Sequence, residues 1–292
     1  MREPVLEAVD LCYTYPDGTV ALKDLSLAIP AGAKVALLGA NGAGKTTLFL
    51  LLAGLAQPAA GEIRLHGEAV GRNRRELLAL RQSVGLVFQD PEAQIFAPTV
   101  WEEVAFGPVN RGLDRVAVEN RVRAVLERVG LWELRDKAPH FLSYGQKKRL
   151  CMASILAMEP AVLLLDEVAA GLDPCQTERL LGILAAEQRS GRTLVLATQD
   201  VDLAYAWADT VYVLDGGALV AGGRPEVVLA DAALVRRAGL RLPVILSFYR
   251  ALREKGLVTG GKVPRDLAAL VALLPPGAAG VEVSVGGGKD GR

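Results

Sequence analysis

The segment from residue 39 to residue 47 has the composition and spacing of a phosphate-binding loop. It matches the pattern G-x-x-x-x-G-K-[ST] and follows an apolar run, residues 35–38, that is typical of a buried strand. Glycines let successive backbone N–H groups point at phosphate oxygens, and the dipole of the following helix favours negative charge. We therefore expect Lys45 to reach the β and γ phosphates of a nucleotide and Thr46 to bind Mg²⁺. The loop residues are Gly39, Ala40, Asn41, Gly42, Ala43, Gly44, Lys45, Thr46 and Thr47.

Two carboxylates form a second candidate site at the end of the apolar run 161–165. Acidic residues at a strand end are more often simply solvated. Here they accompany a phosphate loop, and open α/β sheets bind ligands at the carboxyl ends of their strands. We predict that Asp166 holds Mg²⁺, directly or through water, and that Glu167 is the general base for the attacking water.

The strand and helix patterns place both motifs in an α/β fold. Residues 6–13 and 25–29 alternate like edge strands, and a helix is predicted from Thr46. Further buried-strand runs lie at 84–88, 162–165, 194–197 and 211–214. Strands that alternate with helices indicate a three-layer core. Residues 90–160 are mostly helical, with an amphipathic stretch at 116–129, and predict an inserted helical subdomain.

The character of the chain changes after residue 235. Amphipathic stretches at 244–255 and 264–274 predict a small helical extension over 236–275, and the Gly-rich end, 276–292, predicts a flexible tail. The preceding part, 1–235, is predicted to form the nucleotide-binding domain.

Composition excludes several classes of function. Thirty-three Lys and Arg balance thirty-three Asp and Glu, so the basic field of a nucleic-acid-binding protein is missing. The two histidines, His66 and His140, leave no His-rich metal site. Three widely spaced cysteines and the lack of an apolar signal segment at the N-terminus favour a reducing, cytoplasmic location.

A third motif, residues 142–146, reads LSYGQ and stands just before a predicted helix at 150–158. With the phosphate loop and the acidic strand, it resembles the ATP-binding-cassette (ABC) family, whose signature is Leu-Ser-Gly-Gly-Gln. The resemblance covers about residues 5–235. It implies an ABC-type P-loop NTPase domain with an inserted helical subdomain and an antiparallel β subdomain.

In that family two cassettes enclose two ATP molecules, and each signature closes over the nucleotide held by its partner. The resemblance thus implies that Ser143, Tyr144, Gly145 and Gln146 act on the ATP of a second ABC subunit, in a homodimer or a heterodimer. Capping of a helix start by Ser143 agrees with an anion site. The alternative is an ordinary Ser-capped helix with a basic exposed face.

Other family residues can be matched one by one. Tyr15 resembles the aromatic residue that stacks on adenine, although Tyr13 is an alternative. Gln89 matches the glutamine whose loop links Mg²⁺ and water to the transmembrane partner. Asp173, within residues 171–174, matches the loop through which the two cassettes communicate.

Three positions depart from the family pattern. Gln199 stands where a histidine usually contacts the γ-phosphate, and neither histidine of this chain can replace it by sequence position. A glutamine can donate a hydrogen bond but carries no charge, so we expect slow hydrolysis. Tyr144 replaces the first glycine of the signature and adds bulk beside the partner's ATP. Val168 replaces a proline and could simply pack.

Residues 88–96 and 100–108 look like the ATPases of energy-coupling-factor importers, which act with a membrane coupling protein and a membrane substrate-binding protein. Residues 200–209 and 239–243 look more like the cobalt and nickel branch than the vitamin branch. The resemblance implies a peripheral protein on the cytoplasmic face of the membrane that uses ATP and Mg²⁺, binds no nucleic acid and energises cobalt import.

Three other functions are alternatives to cobalt import. They are a vitamin importer, another ABC transporter ATPase, and a soluble ABC ATPase of DNA repair or translation. Ile95, Phe96 and residues 100–106 are candidates for the groove that binds the coupling protein, or else for the core.

Overall fold

The computed structural model describes residues 3–258 and 262–275, which form two β-sheets and a set of helices. The predicted tail, 276–292, lies outside the described residues. The strands are β1 Pro4–Thr14, β2 Val20–Pro30, β3 Lys34–Leu38, β4 Ala60–Leu65, β5 Glu68–Ala69, β6 Val84–Val87, β7 Val162–Asp166, β8 Thr193–Thr198, β9 Thr210–Asp215 and β10 Ala218–Gly223. The helices are α1 Lys45–Leu52, α2 Arg74–Ser83, α3 Val100–Asn110, α4 Arg115–Val129, α5 Tyr144–Leu156, α6 Pro174–Arg189, α7 Val201–Trp207, α8 Pro225–Val228, α9 Ala232–Arg237, α10 Val244–Glu254 and α11 Leu267–Val271.

The larger sheet has the strand order β10-β9-β3-β8-β7-β6, and its strands run parallel except β10. Strands β7 and β8 are buried along their whole length because helices cover both faces of a parallel sheet. Leu38 at the end of β3 pairs with Thr198 of β8, and Asp166 of β7 pairs with Ala197. The segments that follow these three strands therefore meet at one edge of the sheet.

A second, antiparallel sheet has the order β2-β1-β4-β5. The prediction that residues 6–13 behave as an edge strand is wrong, because β1 lies between β2 and β4. Alternating burial reports only that one face of a strand is covered and says nothing of its hydrogen-bonding neighbours. The turn after β1 carries Tyr15 to the phosphate loop.

Helices α3, α4 and α5 fall within the range predicted to be helical. Helix α4 buries one face, as its pattern predicts, and its exposed face carries the ion pairs Arg115–Glu119 and Arg123–Glu127. The buried residues of α4 are Val118, Val122, Val125, Leu126 and Val129. They pack with α3 and α5 in a core on the β7 side of the sheet.

Helix α5 begins at Tyr144, six residues before the predicted helical run. The cause is a capping box: the Ser143 hydroxyl accepts from the Gln146 N–H, and the Gln146 side chain accepts from the Ser143 N–H. The alternative of a basic exposed face is also wrong, since Lys148 is 1% exposed and Arg149 is 5% exposed.

The C-terminal extension packs on the larger sheet. Its residues Leu246 and Tyr249 share a buried cluster with Leu38 of β3 and Val211 of β9. The proposed boundary between 235 and 236 falls inside α9. Hydrogen bonds add to the packing, because the Tyr205 hydroxyl of α7 donates to the Pro264 carbonyl at 2.9 Å.

None of the helices within residues 3–258 and 262–275 combines the length and the apolar character needed to cross a lipid bilayer.

Replacement of Leu246 by alanine tests whether the extension and the sheet unfold as one unit. Leu246 is 3% exposed, so the variant should lose about 2–5 kcal/mol of unfolding free energy and several degrees of Tm, in a single transition. Calorimetry of the L246A protein checks this. The matched control is Phe248→Ala on the same helix, which is 60% exposed and should melt like wild type. A separate transition that alone shifts in L246A would show that the extension is an independent unit.

Candidate active site

The phosphate loop joins β3 to α1 in a tight path that its glycines permit. Gly42 and Gly44 have φ of 80° and 101°, values that L side chains rarely adopt. A β-carbon at Gly39 would lie 2.7 Å from the Leu214 carbonyl oxygen. Helix α1 starts directly at Lys45 and has no acidic residue in its first turn, so its free N–H groups and dipole are available to an anion.

Lys45 is held inside the loop. Its Nζ donates to the carbonyl oxygens of Gly39 at 2.7 Å and of Ala40 at 3.2 Å. It also lies 3.6 Å from Glu167 Oε1, an ion-pair distance that is too long for a hydrogen bond. The ammonium thus stands between the loop and the carboxylates, where a phosphate could bind.

Asp166 ends β7 and meets the phosphate loop through Thr46. The Thr46 hydroxyl donates to Asp166 Oδ2 at 2.6 Å, while Asp166 Oδ1 is buried with no hydrogen-bond partner. Burial raises the pKa of Asp166, and the Thr46 hydrogen bond and the charges of Lys45 and Lys148 oppose this rise. A carboxylate with an unpaired buried oxygen beside a hydroxyl is a donor set that fits Mg²⁺.

Glu167 has a left-handed backbone, with φ of 46°, which costs a residue with a side chain about 1–3 kcal/mol. Its N–H donates to the Ala197 carbonyl at 3.0 Å, and its carbonyl accepts from Ala170 N–H at 2.9 Å. Burial raises the pKa of the carboxyl, Lys45 lowers it, and Asp166 adds to the rise. A buried carboxylate with a raised pKa suits proton transfer near neutral pH.

These groups line one cavity of about 370 Å³, the size of a small-molecule site. Tyr15 lines it and shares a hydrogen bond of 2.8 Å with Thr47 Oγ1. Tyr13 is not among the lining residues and packs edge-to-face on Tyr15, with ring centroids 5.1 Å apart. The other predicted lining residues are Asn41, Gly42, Gly44, Lys45, Thr46, Thr47, Gln89, Asp166 and Glu167.

The remaining predicted residues lie outside the lining of this cavity. Gln199, between β8 and α7, is exposed. Asp173 caps α6 by accepting from Gln176 N–H at 2.8 Å. Ser143, Tyr144, Gly145 and Gln146 lie at the start of α5 and are not among the lining residues. The loop residues Gly39, Ala40 and Ala43 are not among them either.

Tyr144 of the signature lies beside the segment that contains Asp173. A β-carbon at Gly171 would lie 3.2 Å from Tyr144 Cε1, so the ring approaches the backbone closely. The side chain is 46% exposed. Val168, the third departure from the family pattern, is 1% exposed in the core under β7.

Several residues of the site are not predicted from the sequence. Thr19, Val20 and Ala21 line the cavity, and Val20 is exposed at the start of β2. The Thr198 side chain lowers the pKa of the Glu167 carboxyl, and its hydroxyl accepts from Asp200 N–H at 3.0 Å. In the sequence, Thr198 looks only like the residue that ends an apolar strand. In the sequence, Lys148 looks like part of a basic helix face.

The fold and the cavity together define an ATPase of the ATP-binding-cassette class. The family model described as ABC transporter matches residues 22–170. The chain belongs to this family and, within it, stands among the ATP-binding proteins of energy-coupling factor transporters.

The similarity to individual relatives extends over most of the chain. The energy-coupling factor transporter ATP-binding protein EcfA of Methanocaldococcus jannaschii is 45% identical over 269 residues, 90% of this chain and 96% of that protein. EcfA2 of Methanospirillum hungatei is 43% identical over 93% of this chain and 68% of its own length. The structure of CbiO1 from Clostridium perfringens, part of the ABC transporter complex CbiONQ, superimposes with a TM-score of 0.72. It is 40% identical, and the match covers 84% of this chain and 98% of that one.

Replacement of Glu167 by glutamine should stop ATP hydrolysis, because an amide cannot accept the proton of the attacking water. The raised pKa also predicts an effect on stability. The folded state binds this proton more tightly than the unfolded state, so the carboxyl stabilises the fold at low pH and loses that contribution as the pH rises through its folded pKa. The nucleotide-free E167Q protein should therefore melt at or above the wild-type Tm at neutral pH.

This difference in Tm should shrink as the pH falls into the ordinary range of glutamate titration. Phosphate release and thermal melts over pH measure the two effects. Glu133→Gln, a change at an exposed glutamate, is the control and should alter neither. A lower Tm for E167Q at neutral pH, or retained hydrolysis, would contradict the assignment.

Proposed function

We propose that this chain is the ATP-hydrolysing subunit of an energy-coupling factor importer for cobalt ion, placed at the cytoplasmic face of the membrane. The observation that carries the hydrolytic part is the cluster of Lys45, Thr46, Asp166 and Glu167 around one cavity, with both carboxylates buried. The ABC ATPase family membership supports ATP as the nucleotide.

In the proposed reaction, the oxygen of a water molecule bonds to the γ-phosphorus as the bond to the β–γ bridging oxygen breaks. Glu167 takes the proton of that water, and ADP and phosphate leave. Lys45 and the N–H groups of the loop bind the phosphates and hold them in line. We assign Mg²⁺ to Thr46, Gln89 and Asp166, where it would neutralise charge on the phosphate oxygens. Tyr15 offers its ring face to adenine.

Gln199 is the proposed cause of slow turnover. It directly follows Thr198, the last residue of β8, and stands at the position where the family carries a histidine. An amide offers a hydrogen bond without a positive charge, which stabilises the transition state less.

The variant Gln199→His should raise the rate of ATP hydrolysis, by about tenfold or more if the added imidazole contacts the γ-phosphate. Steady-state phosphate release at saturating MgATP measures the change. Gln57→His adds the same side chain at an exposed position outside the cavity lining and serves as the control. An unchanged or lower rate for Q199H would refute the role of Gln199.

The predicted coupling segment divides into buried and exposed residues. Val100, Val104 and Ala105 belong to the helical core. Phe96 and Phe106 are 63% and 52% exposed, and their rings pack edge-to-face with centroids 4.7 Å apart. A hydrogen bond links the segment of this aromatic pair to the cavity. Gln94, two residues before Phe96, accepts from the N–H of Phe88 at 3.0 Å, and Phe88 directly precedes the lining residue Gln89. We propose that Phe96 and Phe106 contact the membrane coupling protein.

Cobalt is proposed on the resemblance of residues 200–209 and 239–243 to the cobalt and nickel branch. These two stretches touch each other, because Arg241 lies 3.3 Å from Asp202 Oδ2. The similarity to CbiO1 of the CbiONQ complex agrees with this choice. A second ABC ATPase subunit, identical or not, would complete the ATPase dimer.

Uptake by the reconstituted importer tests the whole proposal. Vesicles that contain this ATPase, its ATPase partner and the membrane proteins should take up cobalt when MgATP is supplied. Replacement of both Phe96 and Phe106 by serine should lower uptake severalfold and leave the basal ATPase rate near wild type, because neither ring lines the cavity.

The matched control for that experiment is Phe248→Ser. Phe248 lies on α10 and is similarly exposed, at 60%. Uptake of a vitamin in place of cobalt would move the chain to the vitamin branch. Recovery of the chain on nucleic acid without membrane partners would refute transport.

A further inference from the structure

Lys148 is a buried cation that none of the functions above uses. It lies on α5, five residues after Ser143, and only 1% of its surface is exposed. Burial lowers the pKa of its ammonium group, and the acidic groups around it, Cys151, Asp166, Asp90 and Glu167, oppose that decrease. A lysine buried this deeply is uncommon because loss of its hydration is costly.

The contacts of the ammonium are with main-chain oxygens. Nζ donates to the Gln89 carbonyl at 2.5 Å and lies 3.4 Å from the Glu167 carbonyl. It also stands 5.4 Å from the centre of the Tyr144 ring. Within residues 3–258 and 262–275, no carboxylate forms an ion pair with it. The charge is thus satisfied by the backbone of two segments that border the ATP cavity.

These two segments belong to different parts of the site. Gln89 follows β6, Glu167 follows β7, and Lys148 reaches both from the helix that begins at the signature. Glu167 has the left-handed backbone that a hydrogen bond to its carbonyl would help to hold. Other side chains join the same helix to the Gln89 loop, since Gln94 Nε2 donates to the Cys151 carbonyl at 3.0 Å and Lys147 lies 2.5 Å from Glu92. Lys148 differs from them because it alone of the three touches Glu167.

We propose that Lys148 is a positioning residue that joins the signature helix to the hydrolytic site of its own chain by fixing the main chain at Gln89 and Glu167. A shift of α5 therefore moves the backbone of both residues. The side chain acts through these backbones and does not contact the nucleotide cavity. The inference rests on the proposed roles of Glu167 and Gln89.

The variant Lys148→Met tests the proposal in the full-length chain assembled as the ATPase dimer. Methionine fills a similar volume but cannot donate to either carbonyl oxygen. We expect kcat for ATP hydrolysis to fall by about tenfold to a hundredfold, as displaced catalytic groups do. The KM for ATP and the binding of MgADP should change by no more than about twofold, since the phosphate loop is untouched. Lys148→Arg, which keeps the charge and the donors, should recover part of the lost kcat.

Lys147→Met is the matched control, because it removes the same charge from the adjacent position of the same helix. Its partner Glu92 is 67% exposed, so K147M should retain wild-type kcat. Wild-type kcat in K148M would overturn the proposal. A uniform loss of binding, kcat and Tm in K148M and K148R alike would assign Lys148 to packing alone and would also overturn it.

A comparison with Glu167→Gln separates the two levels of the argument. If E167Q abolishes hydrolysis while K148M does not alter kcat, the proposed role of Glu167 stands and that of Lys148 fails. If E167Q retains hydrolysis, the proposed function of the carboxylate itself is wrong.

Discussion

The burial of two adjacent carboxylates at the end of β7 is the constraint on which the rest of the structure depends. Asp166 is 2% exposed and Glu167 is 7% exposed, and burial raises the pKa of each. Charged groups are costly to bury unless other groups compensate them. Lys45 offsets part of the cost, the Thr46 hydroxyl donates a hydrogen bond to Asp166, and the Thr198 side chain lowers the pKa of Glu167. The carboxylates lie at the end of β7, Thr198 ends β8, and Lys45 and Thr46 begin the helix that follows β3, so the strand order brings these compensating groups to the carboxylates.

The same arrangement divides the chain into two functional faces. The cavity is lined by the phosphate loop, Gln89 and the carboxylates, whereas the signature residues start α5 outside this lining. If signatures serve a partner's nucleotide, each site of the dimer combines the cavity of one subunit with α5 of the other. In a heterodimer, the unusual Gln199 and Tyr144 would then fall in opposite sites. In a symmetric homodimer both would fall in every site.

The sequence predicts the parts of the molecule that depend on local patterns. The phosphate loop, the buried strands and the amphipathic α4 are each defined by residues close together in the chain. The neighbours of β1 and the start of α5 are harder to predict. Strand order is set by distant pairing, and the capping box at Ser143 shifts the helix start by six residues from the apolar run. The burial of Lys148 and Arg149 is the hardest feature to predict from the sequence, because a basic pair on a helix is usually solvated. Here backbone carbonyls, which have no sequence signature, accept their hydrogen bonds: Lys148 donates to Gln89 and Arg149 to Val129, at 2.5 and 2.7 Å.

The C-terminal extension covers the same face of the larger sheet as α3 to α5 but over different strands, because Ala36 in the cluster of the extension pairs with Leu196 in the cluster of those helices. Helices α3 to α5 cover the β7 side, so β3 and β9 need apolar cover elsewhere, and Leu246 and Tyr249 share the cluster of Leu38 and Val211. The extension also holds α7, since Arg265 Nε donates to the Tyr205 carbonyl at 2.9 Å. Helix α7 begins two residues after Gln199, and a β-carbon at Gly239 would lie 3.3 Å from that of Ala40 in the phosphate loop. The extension therefore packs, together with α7 and α8, against the segments behind the nucleotide site.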